Sequence, residues 1–304
     1  MESSRLEQDF SCVTVQDLDL ICHFLSLAGY EESNHNLVNM ILWSETYPLF
    51  QCHSEHWMLL LGIHESKLFI YMPLCEPQYF EEAIMEAKKI FDRYGMPFIL
   101  SCFVKEQVEW FRKLFPCACV EDYRSSADYV YLAEKLRTFS GKKLQKKRNH
   151  LNAFYKEYEG RWVYESLNEK NIHDCENFLK QWKPEEEDEM LQVEIRGVLK
   201  ILALFGKIPY RGGCIRIDGQ VRAFAIGSWL SNRMCQENIE KADDQIRGLY
   251  QAILKEWLSH EFSDAEYVNR EDDMGNEALR QAKMAYTPEF LIEKYQLCGK
   301  ENQI

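Results

Sequence analysis

The stretch "RGGCIRIDGQVRAFAIGSWL" (Arg211–Leu230) decides the fold. Two runs of alternating apolar and polar residues flank Asp218-Gly219, the strongest short-range signal for a β-hairpin. "RMCQENIEKA" (Arg233–Ala242) follows and reads as a third antiparallel strand. "GLYQAILKEWLSHEF" then puts Leu249, Tyr250, Ile253, Leu254, Trp257, Leu258 and Phe262 on one face of a helix. Upstream, "RWVYESL" (Arg161–Leu167) reads as a strand. "NEKNIHDCENFLKQW" and "EEEDEMLQVEIRGVLKILALFG" read as two helices, the second opening on acids that suit the helix dipole. Downstream come a short strand "AEYVNRE", a helix "NEALRQAKMAY" and a strand "EFLIEKYQL". The second half is therefore ordered β-α-α-β-β-β-α-β-α-β.

The first half echoes that order. "DLDLICHFLSLA" and "NHNLVNMILWSE" read as helices, and "HWMLLLGI" with "KLFIYMPL" as a hairpin. "YFEEAIMEAKKIFDRYG" is a helix stopped by Gly95, "PFILSCF" a strand, "KEQVEWFRKLF" a helix and "SADYVYLAEKL" a strand. The fold class expected is α/β (α+β), with mixed, mostly antiparallel central sheets flanked by helices. Two related modules are expected, at 1–140 and 141–304.

Composition limits the functions open to such a chain. With 304 residues, 46% hydrophobic and 28% charged, it can build cores of normal size. A net charge of −13 argues against nucleic-acid or anionic-membrane binding over the whole surface. No apolar run approaches the ~18 residues that cross a bilayer. "MESSRLEQDF" lacks the basic and apolar regions of a signal peptide, and the eleven cysteines are scattered. The expectation is a cytoplasmic protein with reduced thiols and no integral membrane segment. "QCHSEHW" (Cys52, His53, His56) and "PCAC" (Cys117, Cys119) do not supply four ligands at zinc spacing, so no metal is expected.

Two segments carry binding chemistry. In "SGKKLQKKRNHLNAFYKEYEG", Lys142, Lys143, Lys146, Lys147 and Arg148 form a basic cluster in an acidic chain. It is the natural contact for a phosphate-bearing partner, or else a solvated helix face. Leu144, Leu151 and Phe154 give that helix a partial apolar stripe. In "NIEKADDQIRGLYQAIL" a strand runs through a short loop into a helix. Helix N-termini expose unpaired N–H groups that bind phosphate.

The element order resembles the GNAT acyltransferase fold, whose donor site lies at the N-terminus of the helix after the third meander strand. Its coenzyme A pyrophosphate pattern, Q/R-x-x-G-x-G/A, is similar to Gln245-Ile246-Arg247-Gly248-Leu249-Tyr250, with tyrosine in place of the last small residue. The corresponding place in the first half, "YMPLCEPQYFEEA", has Pro77, which has no N–H to offer. The first module is therefore expected to be a supporting or acceptor-side module without a donor site.

"SGKKLQKKRNHLNAFYKEY", "NIEKADDQIRGLYQAI" and "YVNREDDMGNEALRQAKMAYTPEFLIEKY" together resemble the bacterial proteins grouped with the C-terminal domain of phosphatidylglycerol lysyltransferase, the DUF2156 group. The resemblance implies a tandem GNAT fold similar to the Fem-type aminoacyltransferases. It also implies transfer of an aminoacyl group from aminoacyl-tRNA to a lipid headgroup or an amine. The chain departs from the lipid-modifying members in lacking their multi-helix membrane domain. A partial pyrophosphate loop leaves acyl-CoA open as co-substrate, with no tightly bound cofactor. The acceptor is a small molecule or peptide bearing an amine or hydroxyl. The alternatives are an acetyl-CoA-dependent N-acetyltransferase and a non-catalytic ligand-binding protein that keeps the fold.

Acyl transfer needs a base and a group that stabilises the oxyanion. Glu240, ending the third meander strand, is the expected base, and Lys241 a candidate oxyanion partner. Strand alternation sends these two to opposite faces, so only one of them enters a cleft. Arg270 and Glu271 follow the short strand, where Arg270 can clamp a carboxylate or phosphate. The resemblance implies a general-acid role for Tyr286, although the usual spacing from an asparagine is not reproduced. In "NREDDMGNEALRQAK", Asp272 or Asp273 is expected to cap the helix.

Overall fold

The structure, a computed structural model, describes residues 9–64, 67–182 and 188–299. The chain forms two compact units: residues up to Ala127 with those from Ile292 onward, and Asp128–Leu291.

The strands run in chain order as β1 (Ser11–Cys12), β2 (Leu49–His53), β3 (Trp57–His64), β4 (Lys67–Tyr71), β5 (Leu74–Cys75), β6 (Ile99–Val104) and β7 (Cys119–Asp122). They continue as β8 (Asp128–Leu132), β9 (Trp162–Ser166), β10 (Arg211–Ile217), β11 (Gln220–Trp229), β12 (Met234–Ala242), β13 (Tyr267–Asn269), β14 (Phe290–Ile292) and β15 (Lys294–Cys298). The first unit's sheet is ordered β1-β2-β3-β4-β6-β15-β7, with β5 on β3; the second is β14-β8-β13-β12-β11-β10-β9. Both are mixed, mostly antiparallel and flanked by helices.

The cut between units falls at Ala127/Asp128, where the sequence reading put it at 140/141. Strand pairing is the reason. The "SADYVYLAEKL" strand, β8, joins the second sheet between β14 and β13. The "EFLIEKYQL" strand divides in two: β14 stays in the second sheet, and β15 enters the first between β6 and β7. Hydrogen-bond partners this far apart in the chain leave no local signature.

Elsewhere local chemistry decides. Asp218 and Gly219 both take positive φ (50° and 81°), giving the tight turn between β10 and β11. The helices at Leu249–His260 and Gln145–Glu157 form as their apolar stripes predict. Trp257, Leu254 and Phe154 from these two helices are fully buried in the second core, with Tyr129 of β8 and Phe262. The helix at Glu189–Ala203 opens at Asp188, whose side chain accepts from Met190 N and Leu191 N. The acids Glu185–Glu187 read into its first turn lie outside the described residues, as does the N-terminal stretch 1–8.

One pairing opens the sheet. Strand β12 runs parallel to β13, but only over Met234–Gln236 against Tyr267–Asn269. Beyond Gln236, β12 pairs with β11 alone, so the sheet splays open along Glu237–Ala242. The same stretch carries a register shift: Ile226 faces Ile239 and Gly227 faces Glu237, leaving Asn238 as the extra residue of a β-bulge. Gly227 fits here because a Cβ on it would lie 2.2 Å from the Gln236 carbonyl and 2.4 Å from the Trp257 ring. A backbone carbonyl cannot yield as a side chain can. Gly227→Ala is therefore expected to destabilise the protein by ~1–3 kcal/mol, the usual cost of overpacking, measured by denaturant unfolding.

Candidate functional site

A carboxylate pair sits on the splayed part of β12. Residues three apart on a regular strand point to opposite faces. The bulge at Asn238 changes the phase, so Glu237 and Glu240 both turn toward Arg270, which follows β13. Arg270 Nε donates to Glu237 Oε2, and its Nη2 to Glu240 Oε2 at 2.6 Å. All three side chains are nearly buried, at 5–12% exposure. The second oxygen of each carboxylate, Oε1, is buried and receives no hydrogen bond.

Electrostatics follow from this burial. Glu240 is pushed well above the usual carboxylate range by desolvation and then by the neighbouring Glu237 charge, against the pull of Arg270 and Lys147. A proton on Glu240 would let it donate to Glu237, so the pair holds one negative charge more comfortably than two. Burial works against the Arg270 cation, but Glu237 and Glu240 outweigh it and raise its pKa well above normal.

The opposite wall is aromatic and cationic. Lys147, from the basic helix, points inward with its ammonium 4.0 Å from the Tyr286 ring centroid. Burial, and then the Arg270 charge, lower its pKa, partly offset by Glu240. The Arg270 guanidinium lies 4.8 Å from the same ring, which thus stands against two cations. Gln251 Nε2 donates to the Tyr286 hydroxyl at 2.9 Å, and burial raises that phenol to about 12. Tyr250 also feels Glu240: burial, then the Glu240 charge, raise its pKa.

A buried network holds Arg270 from behind. Its N–H donates to Tyr129 O at 3.0 Å, and Lys283 Nζ donates to its carbonyl. Gln236 Nε2 donates to Glu271 Oε1 at 2.7 Å, and Glu271 is raised by burial while Lys283 opposes the rise. Asn269, wholly buried, donates to Asp128 and accepts from Glu271 N at 2.8 Å. Glu271 therefore belongs to the support of Arg270 more than to the carboxylate pair.

The other residues singled out from the sequence separate into distinct places. Lys241 turns to the far side of β12, 2.7 Å from Glu194 Oε1 and over the Trp182 ring, as strand alternation requires. Lys142, Lys143 and Lys146 are exposed. Arg148 spends its guanidinium on the Phe139 carbonyl at 2.6 Å, tying down the preceding loop. Asp272 and Asp273 do not cap the helix, contrary to the reading of the acidic stretch. Asn276 does, its Oδ1 accepting from Leu279 N, because the helix starts only at Glu277. Met274 and Gly275 both take positive φ, so neither continues a right-handed helix and the start is put off until after them. Asp273 instead is buried, accepts from Tyr129 Oη at 2.6 Å and pairs with Arg280 through both carboxylate oxygens. Arg280 first, then Tyr129, hold its pKa at about 2 against the effect of burial.

The glycine loop has its own explanation. Gly248 is the N-cap of the helix at Leu249–His260, with φ 87°. A Cβ there would lie 2.1 Å from the His150 carbonyl, so the glycine serves a close approach of two helices. Leu249 is buried and Ile246 packs on the core. Gln245 is exposed and donates to Asp244 Oδ1 at 2.7 Å. Arg247 is exposed too, and its charge, with those of Lys146 and Lys147, adds to burial in lowering the pKa of His150. Lys142, Lys143, Lys146 and Arg247 thus remain as exposed cations. In the first unit Pro77 opens the turn leading into the helix at Phe80–Arg93. Among the described residues, no three of His, Cys, Asp or Glu converge as metal ligands.

Sequence reasoning missed Glu237, Gln251, Lys283 and Gln236. The Glu237-x-x-Glu240 spacing would have disclosed the pair only if the bulge were known.

Two mixed, mainly antiparallel sheets flanked by helices, the second opened along β12, define the class of fold. The model of the family "Phosphatidylglycerol lysyltransferase, C-terminal" matches residues 26–298, and the chain belongs to that family. It is 33% identical over 197 residues to an uncharacterized protein of Mycoplasmoides gallisepticum, spanning 61% of that protein's length and 62% of its own. It superposes on a conserved protein of unknown function from Bacteroides thetaiotaomicron with a TM-score of 0.88 at 26% identity, covering 96% of this chain and 99% of that one. L-PGS from Bacillus licheniformis shares the fold at a TM-score of 0.67 and 11% identity, over 94% of this chain and 92% of that one. The C-terminal domain of a protein described as a lysylphosphatidylglycerol synthetase from Agrobacterium fabrum matches at 0.67 and 13%, over the same 94% and 92%. No described helix is long and apolar enough to cross a membrane.

The raised Glu240 pKa has a stability consequence with a definite sign. Ionising this carboxyl costs more in the fold than in the unfolded chain. The penalty is absent below the unfolded pKa near ~4 and grows as pH rises toward the folded one. Glu240→Gln keeps an acceptor for Arg270 and removes the penalty. The variant is expected to be more stable than wild type at pH ~8, by on the order of 1 kcal/mol, with the gap narrowing toward pH ~4. Urea midpoints across that range measure it; a gap independent of pH would contradict the assignment.

Proposed function

We propose that the second unit transfers an aminoacyl group from aminoacyl-tRNA to an amine or hydroxyl acceptor. One observation carries this reading: the buried Glu237–Arg270–Glu240 group, with a donor-free oxygen on each carboxylate. Family membership supports the reaction class.

In this reading Glu240 takes the proton from the attacking amine or hydroxyl. The new bond forms at the ester carbonyl of the donor. Arg270 and Lys147 stabilise the oxyanion, and a correctly placed donor of this kind is worth ~10²–10³ in rate. As the carbon–oxygen bond to the ribose breaks, Lys147 protonates the leaving oxygen, and its lowered pKa favours giving up that proton. The proton on Glu240 then returns to Lys147. With Glu240 used as the base, the donor-free oxygen of Glu237 suits the ammonium of an aminoacyl group.

The exposed Lys142, Lys143, Lys146 and Arg247 would meet the tRNA phosphates. Coenzyme A is the weaker candidate donor. Gly248 is accounted for by the close approach of the His150 carbonyl to its Cα, and Tyr250 stands where a small residue is wanted.

Two measurements test this. Glu240→Gln is expected to lower single-turnover aminoacyl transfer from aminoacyl-tRNA by ~10²–10⁴-fold, the usual worth of a general base. Neutralising Lys142, Lys143 and Lys146 together is expected to weaken tRNA binding and flatten its log K against log salt slope by ~2–3. Thermal stabilisation by acetyl-CoA, with no salt-sensitive tRNA binding, would overturn the donor assignment. Binding without turnover under any donor would leave a non-catalytic module.

A further inference from the structure

The first unit carries a pair of facing thiols that the proposed reaction does not use. Strands β7 and β15 pair antiparallel with Cys119 directly opposite Cys298 and Glu121 opposite Gln296. Cys119 Sγ donates to Glu121 at 3.6 Å, and Gln296 Nε2 donates to Cys298 Sγ at 3.4 Å. These four side chains therefore share one face of the sheet, while Leu297 between them is fully buried on the other. Directly opposed residues in an antiparallel pair have Cα atoms ~4.5–5.5 Å apart, inside the ~4.4–6.8 Å range that a disulfide spans. Cys119 is exposed and Cys298 half-buried, so a reagent can reach the pair.

We propose that Cys119 and Cys298 are an oxidisable dithiol whose disulfide clips β15 to β7. The oxidant is a low-molecular-weight disulfide. The exposed Cys119 thiolate attacks one of its sulfurs, forming a mixed disulfide and releasing one small thiol. Cys298 then attacks the Cys119 sulfur, the protein disulfide forms and the second small thiol leaves. The protein loses two electrons and two protons, which reappear in the two released thiols. The bond matters because β15 follows the whole second unit in the chain yet sits inside the first sheet. Oxidation makes that long-range pairing covalent, and reduction frees it.

The test exposes the full chain to oxidised glutathione, quenches with an alkylating agent and maps peptides without reduction. The expected result is a peptide pair joined through Cys119 and Cys298, with two of the eleven thiols lost. Oxidised wild type is expected to show a higher urea midpoint than reduced. Cys119→Ser, a change at an exposed position, should abolish both the bond and the oxidant-dependent shift. Glutathione adducts with no internal bond, pairing through Cys117 instead, or an equal midpoint shift in Cys119→Ser would each overturn the proposal.

Discussion

The candidate site of the second unit depends on one guanidinium held between two carboxylates. Arg270 pairs with both Glu237 and Glu240 where water has been removed, and without it the two carboxyl groups would face each other in a buried site with no cation between them. Nearly every neighbouring feature serves that contact. The bulge at Asn238 brings both carboxylates to one face. The short parallel pairing of β12 and β13 ends just where Arg270 must emerge. Tyr129 and Lys283 fix its backbone, and Tyr286 lies against its flat side. Asp273 and Arg280 lock the turn that follows.

Such a site is held from many sides, yet its hydrogen bonding is incomplete. Each carboxylate keeps one oxygen without a donor, a cost of desolvation that a purely structural ion pair would avoid. Lys147 is drawn into the same enclosure although three lysines of its segment stay outside. One short basic segment thus serves two environments: Lys142 and Lys143 before the helix and Lys146 on it are exposed, while Lys147 turns to the buried wall.

The sequence disclosed what is local. The Asp218-Gly219 turn, the helix stripes through Trp257 and Phe154, and the alternation separating Glu240 from Lys241 all follow from neighbours within a few residues. Arg270 and Glu240 were legible as candidates from their places, one just after the short strand and the other at the end of the third meander strand beside the glycine loop. What stayed hidden was non-local. Glu237 needed the bulge, and the true cap at Asn276 needed the positive-φ turn at Met274 and Gly275. The close approach of the His150 carbonyl to Gly248 pairs two segments about a hundred residues apart, so it too left no local trace. The destinations of β8 and β15 rest on hydrogen bonds that pair distant parts of the chain.

The exchange of strands also sets an order of assembly. The second unit is a continuous stretch of chain, Asp128–Leu291, inserted between β7 and β15 of the first. As the polypeptide leaves the ribosome, the first unit is synthesised earlier yet cannot close its sheet until residues 294–298 have emerged. Until then β6 and β7 present unpaired edges, which are open to mispairing with other chains. The unit made second is the one able to finish first, and its ends must return β15 to the gap left waiting between β6 and β7.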